Sequence, residues 1–166
     1  MLQRFINVDR DGAVSIQGDL RVLYSTMLMI RVMLLSGGRS YLSAGLTTAI
    51  RYSTVRRQFK NISGKKEETQ LINYQTQQMK LFPLMATMFA HSFTQDHIVA
   101  KFKQLLKDIK KQNFKNLDLL HHYTSGMKSV FTQDTYDGLL QIRQSLGGGG
   151  YSAWSGIPRL IEDYSP

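Results

Sequence analysis

The spacing of apolar residues leaves most of this chain little choice but helix. Leu20, Leu23, Met27, Ile30 and Leu34 recur at steps of 3, 4, 3 and 4, the narrow seam that bundle helices bury. Asp19 stands ahead of it as an N-cap, its carboxylate suited to free backbone N–H groups. Gly37 and Gly38 weaken the middle, and Leu42, Gly45, Leu46, Ala49 and Ile50 resume the stripe. Ser43, Ala44 and Gly45 predict close approach by a neighbour. This helix is expected to run to about Phe59 and to end in Arg51, Arg56, Arg57 and Lys60, cations suited to the negative end of a helix dipole.

After the polar turn Asn61–Glu68, a second helix is expected from near Thr69. Its apolar face is Leu81, Leu84, Met85, Met88 and Phe89, then Phe102, Leu105, Leu106 and Ile109, with Pro83 bending it. A third helix spans Leu117 to Leu146 and halts at Gly147–Gly150. Before residue 19 the turns Asp11-Gly12 and Gln17-Gly18 enclose a short alternating stretch, Ala13–Ile16, which reads as an arm or strand stub. No strand pattern of useful length follows residue 20. The expectation is an all-α antiparallel bundle of three long helices, or a four-helix bundle lacking one member. It would form a single domain, with an arm over 1–18, a bundle over 19–146 and a glycine-rich loop and tail over 147–166. The start, in mid-pattern, reads as a segment of something larger.

A chain of 166 residues, 42% of them hydrophobic, can bury a real core. Its net charge of +9 admits nucleic acid, an anionic membrane or an anionic nucleotide-like ligand, or simply a soluble helical protein. Lys101, Lys103, Lys107, Lys110, Lys111 and Lys115 read as a solvated face, since no aromatic stacking platform accompanies them. The absence of cysteine excludes disulfides, thiolate nucleophiles and cysteine-ligated metals. The opening MLQRFINVDRDG is too charged for a signal peptide. Arg21, Arg31 and Arg39 cut the most apolar region into runs too short to span a bilayer.

The motifs of phosphate-binding loops, zinc proteases and serine hydrolases are missing. Asp118, His121 and His122 share one turn, but no third ligand has metal spacing; surface or capping histidines are the plainer reading. His91 and His97 offer less. The glycine run is the most informative local feature. One glycine suffices to close a helix, and four in a row cost backbone entropy. The run therefore predicts an irregular segment that hugs a ligand, its backbone N–H groups forming a nest and its glycines packed under Tyr151 or Trp154.

Three stretches, AIRYSTVRRQF (Ala49–Phe59), ETQLINYQTQQMKLFPLMA (Glu68–Ala86) and RQSLGGGGYSAWSGIP (Arg143–Pro158), resemble acyl-CoA oxidases of the acyl-CoA dehydrogenase superfamily. The order and separations fit that family's first C-terminal helical domain over nearly the whole chain. The resemblance implies FAD at a subunit interface, with this domain covering the diphosphate and adenosine of the neighbour's cofactor in a homodimer. It implies that Arg56 reaches the pyrophosphate with Gln58 and Phe59 beside it, that Gln75 approaches the cofactor, and that Gln144 through Gly147 and Gly148 lie along the dinucleotide. Arg31 would sit near the acyl-thioester end of a substrate pocket. The chemistry agrees, because a guanidinium offers paired donors to a diphosphate and a loop without side chains lets backbone donors approach it.

Two departures stand out. Gly149 occupies the place of a histidine in the family's usual Gly-Gly-His-Gly-Tyr. The family's catalytic glutamate, in a Phe-Glu-Gly motif, is expected just beyond Pro166, and Glu162 is not at its position. The implied parent activity is oxidation of a fatty acyl-CoA to the enoyl-CoA by flavin and O₂, with peroxide as product. The implied location is the peroxisome, by resemblance alone, since Tyr164-Ser165-Pro166 is not a peroxisomal address. A non-catalytic helical interaction module from the same family is the alternative, and a nucleic-acid binder a distant third. No metal, nucleic-acid partner or membrane span is expected, and the chain alone is expected to be inactive.

Overall fold

A computed structural model describes residues 6–16, 21–60 and 67–165, with side chains described from residue 25 of the first long helix. The proposed Asp19 cap, the Gln17-Gly18 turn and most of the Asn61–Glu68 turn lie outside the described residues. The chain opens with a hairpin of β1 (Ile6–Val8) and β2 (Val14–Ile16), paired antiparallel through a turn at Gly12. Then come α1 (Arg21–Val55), a second hairpin of β3 (Arg57–Lys60) and β4 (Glu68–Gln70), and a 3-10 turn at Leu71–Asn73. Helices α2 (Gln75–Lys110) and α3 (Leu117–Ser145) complete the bundle. A single helical turn α4 (Gly148–Tyr151), a 3-10 turn and the short helix α5 (Ile157–Tyr164) close the chain. The long helices run up, down and up. Among the described residues the fold is all-α apart from two two-stranded hairpins.

Three boundaries differ from the sequence expectation. Helix α1 stops at Val55 and not Phe59, because β3 takes over from Arg57 and pairs with β4, which itself replaces the expected start of the second helix. Groups distant in sequence enforce the change. Gln70 Nε2 donates to the Thr54 carbonyl at 2.7 Å, and Leu71 N–H donates to the Arg56 carbonyl at 3.0 Å, satisfying acceptors that a helix end leaves open. Helix α2 passes through Pro83 without interruption. The glycine run is not simply irregular. Gly147 adopts φ 55°, ψ −131°, and its successors form the turn α4. Tyr151 and Trp154, expected to cover the glycines, are 81% and 99% exposed.

The core has two apolar centres. Leu28, Val32 and Leu35 of α1 meet Ile98, Phe102 and Leu105 of α2 and Leu117, Leu120 and Phe131 of α3. Leu42, Leu46 and Ala49 meet Leu81 and Leu84, Leu139 and Ile142, and Ile157 of α5. The expected seam is thus half right. Of its second part Leu42, Gly45, Leu46 and Ala49 are buried and Ile50 is half-buried; Leu20 and Leu23 lie outside the residues whose side chains are described. Met27, Ile30 and Leu34 are exposed, and Leu28, Val32 and Leu35 point inward in their place. Close approach at Gly45 is real: a Cβ there would stand 3.0 Å from Leu139 Cδ2 and 3.2 Å from Ile142 Cδ1.

A polar layer separates the centres. Gln95 Nε2 donates to Ser36 Oγ at 2.8 Å, and Arg39 Nη1 to Ser92 Oγ at 3.1 Å. His91, buried and stacked on Phe131 with ring centroids 3.7 Å apart, approaches Asp134 Oδ2 through Nε2 at 3.3 Å. Burial pushes His91 below its usual pKa, and the hydrogen bond and charge of Asp134 offset this only in part. Above Gly38 the hydroxyls of Thr135 and Tyr164 crowd the helix, 2.9 and 3.0 Å from where a Cβ would stand. Tyr164 also packs on Tyr41 with centroids 5.0 Å apart.

Candidate functional site at one end of the bundle

One side chain shows how the three long helices meet. Gln77, in the first turn of α2, donates through Nε2 to Ser53 Oγ at 2.9 Å and to the Ser145 carbonyl at 3.0 Å. It therefore ties the last turns of α1 and α3 to the start of α2. Arg56, Gln58 and Phe59 leave α1 at this end, Gln75 begins α2 there, and Gln144, Gly147 and Gly148 finish α3 there. Seven of the eight residues named from the sequence thus share one end of the molecule. Gln77 and Ser53 were not among them. The contact crosses 24 and 68 residues, and a glutamine among several in QTQQ carries no local mark of it.

Arg31 is elsewhere. It lies on α1 roughly 36 Å along the axis from Val55, at 1.5 Å per residue. There Nη1 donates to Ser125 Oγ at 2.6 Å and to His121 Nδ1 at 3.0 Å. His121 thus serves a guanidinium, and among the described residues no group of three histidine or acidic side chains could hold a metal.

The shared end is open and basic. Arg56, Gln58, Phe59, Gln75 and Gln144 are all exposed. Arg57 braces the hairpin, donating to the Glu68 carbonyl at 3.0 Å and lying 3.5 Å from Glu67 Oε2. Tyr74 donates its hydroxyl to the Gln58 carbonyl at 2.7 Å. Between them Phe59 has φ 63° and stands 69% exposed at an irregularity in the strand pairing. A bulky residue held in the left-handed region and offered to solvent costs energy that the bracing contacts must overcome. Helix α2 opens without a side-chain cap or an acidic residue in its first turn, so its positive end is not neutralised locally.

The glycine turn is more closed than the run suggested. The N–H groups of Gly147, Gly149 and Gly150 donate to the carbonyls of Gln144, Leu146 and Gly147, so these three do not form the expected anion nest. What remains is a shallow pocket of about 350 Å³ lined by Leu140, Arg143, Gln144, Gly147 and Tyr151. Gly149 faces the ring of Tyr52, one turn before Arg56, at 3.7 Å from its would-be Cβ. A Cβ at Gly150 would run into the Arg143 carbonyl. Chemically, this end offers guanidinium donors, amide side chains, an exposed aromatic ring and a pocket floored by glycine.

Comparison with known proteins places this geometry. The family described as "Acyl-CoA oxidase, C-alpha1 domain" matches residues 24–166. The peroxisomal acyl-coenzyme A oxidase 1 of Dictyostelium discoideum is 38% identical over 165 residues, which is 99% of this chain and 24% of that protein. The fold superposes on an acyl-CoA oxidase from tomato (Lycopersicon esculentum) with a TM-score of 0.90 at 35% identity, covering 100% of this chain and 25% of the other. It superposes on acyl-CoA oxidase-2 of Caenorhabditis elegans, bound with FAD, ascaroside-CoA and ATP, with a TM-score of 0.87 at 38% identity, covering 97% and 24%. The chain spans about a quarter of the length of these relatives. In sequence and in architecture it belongs to the acyl-CoA oxidase family, matching that family's C-alpha1 helical domain.

Proposed function

We propose that this chain is the flavin-covering segment of an FAD-dependent peroxisomal acyl-CoA oxidase, converting a fatty acyl-CoA and O₂ to the trans-2-enoyl-CoA and hydrogen peroxide. The observation that carries the reading is the convergence at the Gln77 end. Groups suited to a dinucleotide leave three different helices and meet where one amide joins Ser53 and Ser145. These residues suit FAD by their donor set. Arg56 offers paired donors to a diphosphate, Gln58, Gln75 and Gln144 offer amides, Phe59 offers a face for a flat ring, and Gly147 and Gly148 leave room for close approach.

When bound, the flavin supplies the hydride acceptor and its reoxidation by O₂. The work of this segment is to bind and orient it in the partner subunit of a homodimer. Arg31, at the far end of α1, then belongs to a different place, the acyl-thioester end of a substrate pocket. The catalytic base is supplied from outside residues 1–166, so this chain alone turns over no acyl-CoA.

Replacing Arg56 tests the cofactor role. In the flavin-loaded oxidase carrying this segment, Arg56→Ala is expected to weaken FAD retention about tenfold or more, as loss of a charge-assisted hydrogen bond does. FAD dissociation followed by flavin fluorescence reads the effect, and unchanged retention would remove Arg56 from the site. Residues 1–166 alone, given FAD and acyl-CoA esters, are expected to release no peroxide above a protein-free control. Sustained turnover would mean that Glu162 or another carboxylate of this chain serves as base.

A further inference from the structure

Arg31 is half-buried, and among the described residues no carboxylate pairs with it. Neutral groups hold it instead, both on α3. Its Nη1 donates to Ser125 Oγ and to His121 Nδ1. The polarity of this arrangement is fully determined. Ser125 sends its own proton to the His121 carbonyl at 2.7 Å, so its oxygen lone pairs face the guanidinium. A guanidinium only donates, so Nδ1 of His121 accepts, and its ring is neutral with the proton on Nε2. Among the described residues Nη2 and Nε of Arg31 have no acceptor, so these donors are left for another partner. A half-buried cation held by uncharged acceptors keeps its full charge for an incoming oxygen, whereas a carboxylate partner would already have neutralised it.

We infer that His121 and Ser125 are positioning residues that fix the Arg31 guanidinium by one nitrogen and leave its other donors directed at the substrate. This rests on the reading above that Arg31 faces the acyl-thioester end of an acyl-CoA.

Steady-state kinetics of the flavin-loaded oxidase carrying this segment test the inference. His121→Ala and Ser125→Ala are expected to raise KM for acyl-CoA about tenfold, with kcat and flavin content much less affected. His121→Asn is the decisive variant, because its amide oxygen can stand near the place of Nδ1 as an acceptor that never takes a proton. It is expected to restore KM. If His121→Asn is as impaired as His121→Ala, the inference is wrong. Arg31→Ala separates the two levels. An unchanged KM in that variant would overturn the substrate role of Arg31 itself. A raised KM there with unaltered KM in His121→Ala and Ser125→Ala would overturn only the positioning role.

Discussion

From Gly38 to Ser53 the apolar side of α1 is enclosed. Helices α2 and α3 cover it, α5 lies beside them with Ile157 fully buried, and Leu42, Leu46 and Ala49 have almost no access to solvent. Before Gly38 the same helix buries Leu28, Val32 and Leu35 but leaves Met27, Met29, Ile30, Met33 and Leu34 at the surface. The half with a fourth packing element has a closed core, and the half without one carries apolar residues on its outside as well as its inside. The residues differ to match: the second half sets Ser40, Ala44, Thr47 and Thr54 on its outer side, where the first sets methionine, isoleucine and leucine. A contiguous exposed apolar face of this kind marks a surface that something else covers.

The largest effect should come from the closed half. Leu42→Ala is expected to cost about 2–5 kcal/mol, the range for emptying a leucine site in a packed core, whereas Ile30→Ala should stay within about 0.5 kcal/mol. Denaturant midpoints at several protein concentrations would read both. A large, concentration-dependent loss for Ile30→Ala would break the contrast and show that copies of the chain cover the open flank.

Neighbouring glycines sharpen the contrast on a smaller scale. Gly150→Ala should destabilise by about 1–3 kcal/mol as its Cβ meets the Arg143 carbonyl. Gly149→Ala should stabilise by about 0.4–1 kcal/mol, since its helical backbone admits a side chain and its Cβ makes ordinary contact with Tyr52. Equal changes for the two would mean that α4 does not hold its shape.

The smallest effect is a pH dependence seated between the halves. Burial holds His91 below its ordinary value of 6.5, so between those two values the unfolded chain binds the extra proton. Stability should therefore fall as pH drops from about 6.5 toward the folded value, and this contribution should level off below it. Subtracting the stability–pH curve of His91→Gln from that of wild type isolates it. A difference that shrinks as pH rises would reverse the assignment.

Much of this was legible in the residues, for reasons that can be named. The second half of α1 read correctly because Gly45 and Ala49 mark the side on which a neighbour comes close. Its first half did not, because Met27, Leu28, Met29, Ile30, Val32, Met33, Leu34 and Leu35 place apolar groups all round the helix, and periodicity then has no phase to find. The end of α1 was placed four residues late since nothing in RYSTVRRQF breaks a helix; the stop comes from Gln70, sixteen residues on from Thr54. Motif resemblance named seven residues that the fold collects at one end. It could not name Gln77, Ser125 or His121, whose importance exists only once distant helices lie side by side.

The polar layer at mid-height has a consequence for alignment. Apolar seams are forgiving: sliding α2 by one turn, about 5.4 Å, would set leucine against leucine again. The same slide would tear Gln95 from Ser36 and carry His91 away from Asp134, stranding buried polar atoms in hydrocarbon at a cost no new leucine contact returns. These pairs therefore act as a vernier, admitting one longitudinal setting of the helices. The level at which Gln77 meets Ser53 and Ser145 at the end of the bundle is set from its middle, several turns away.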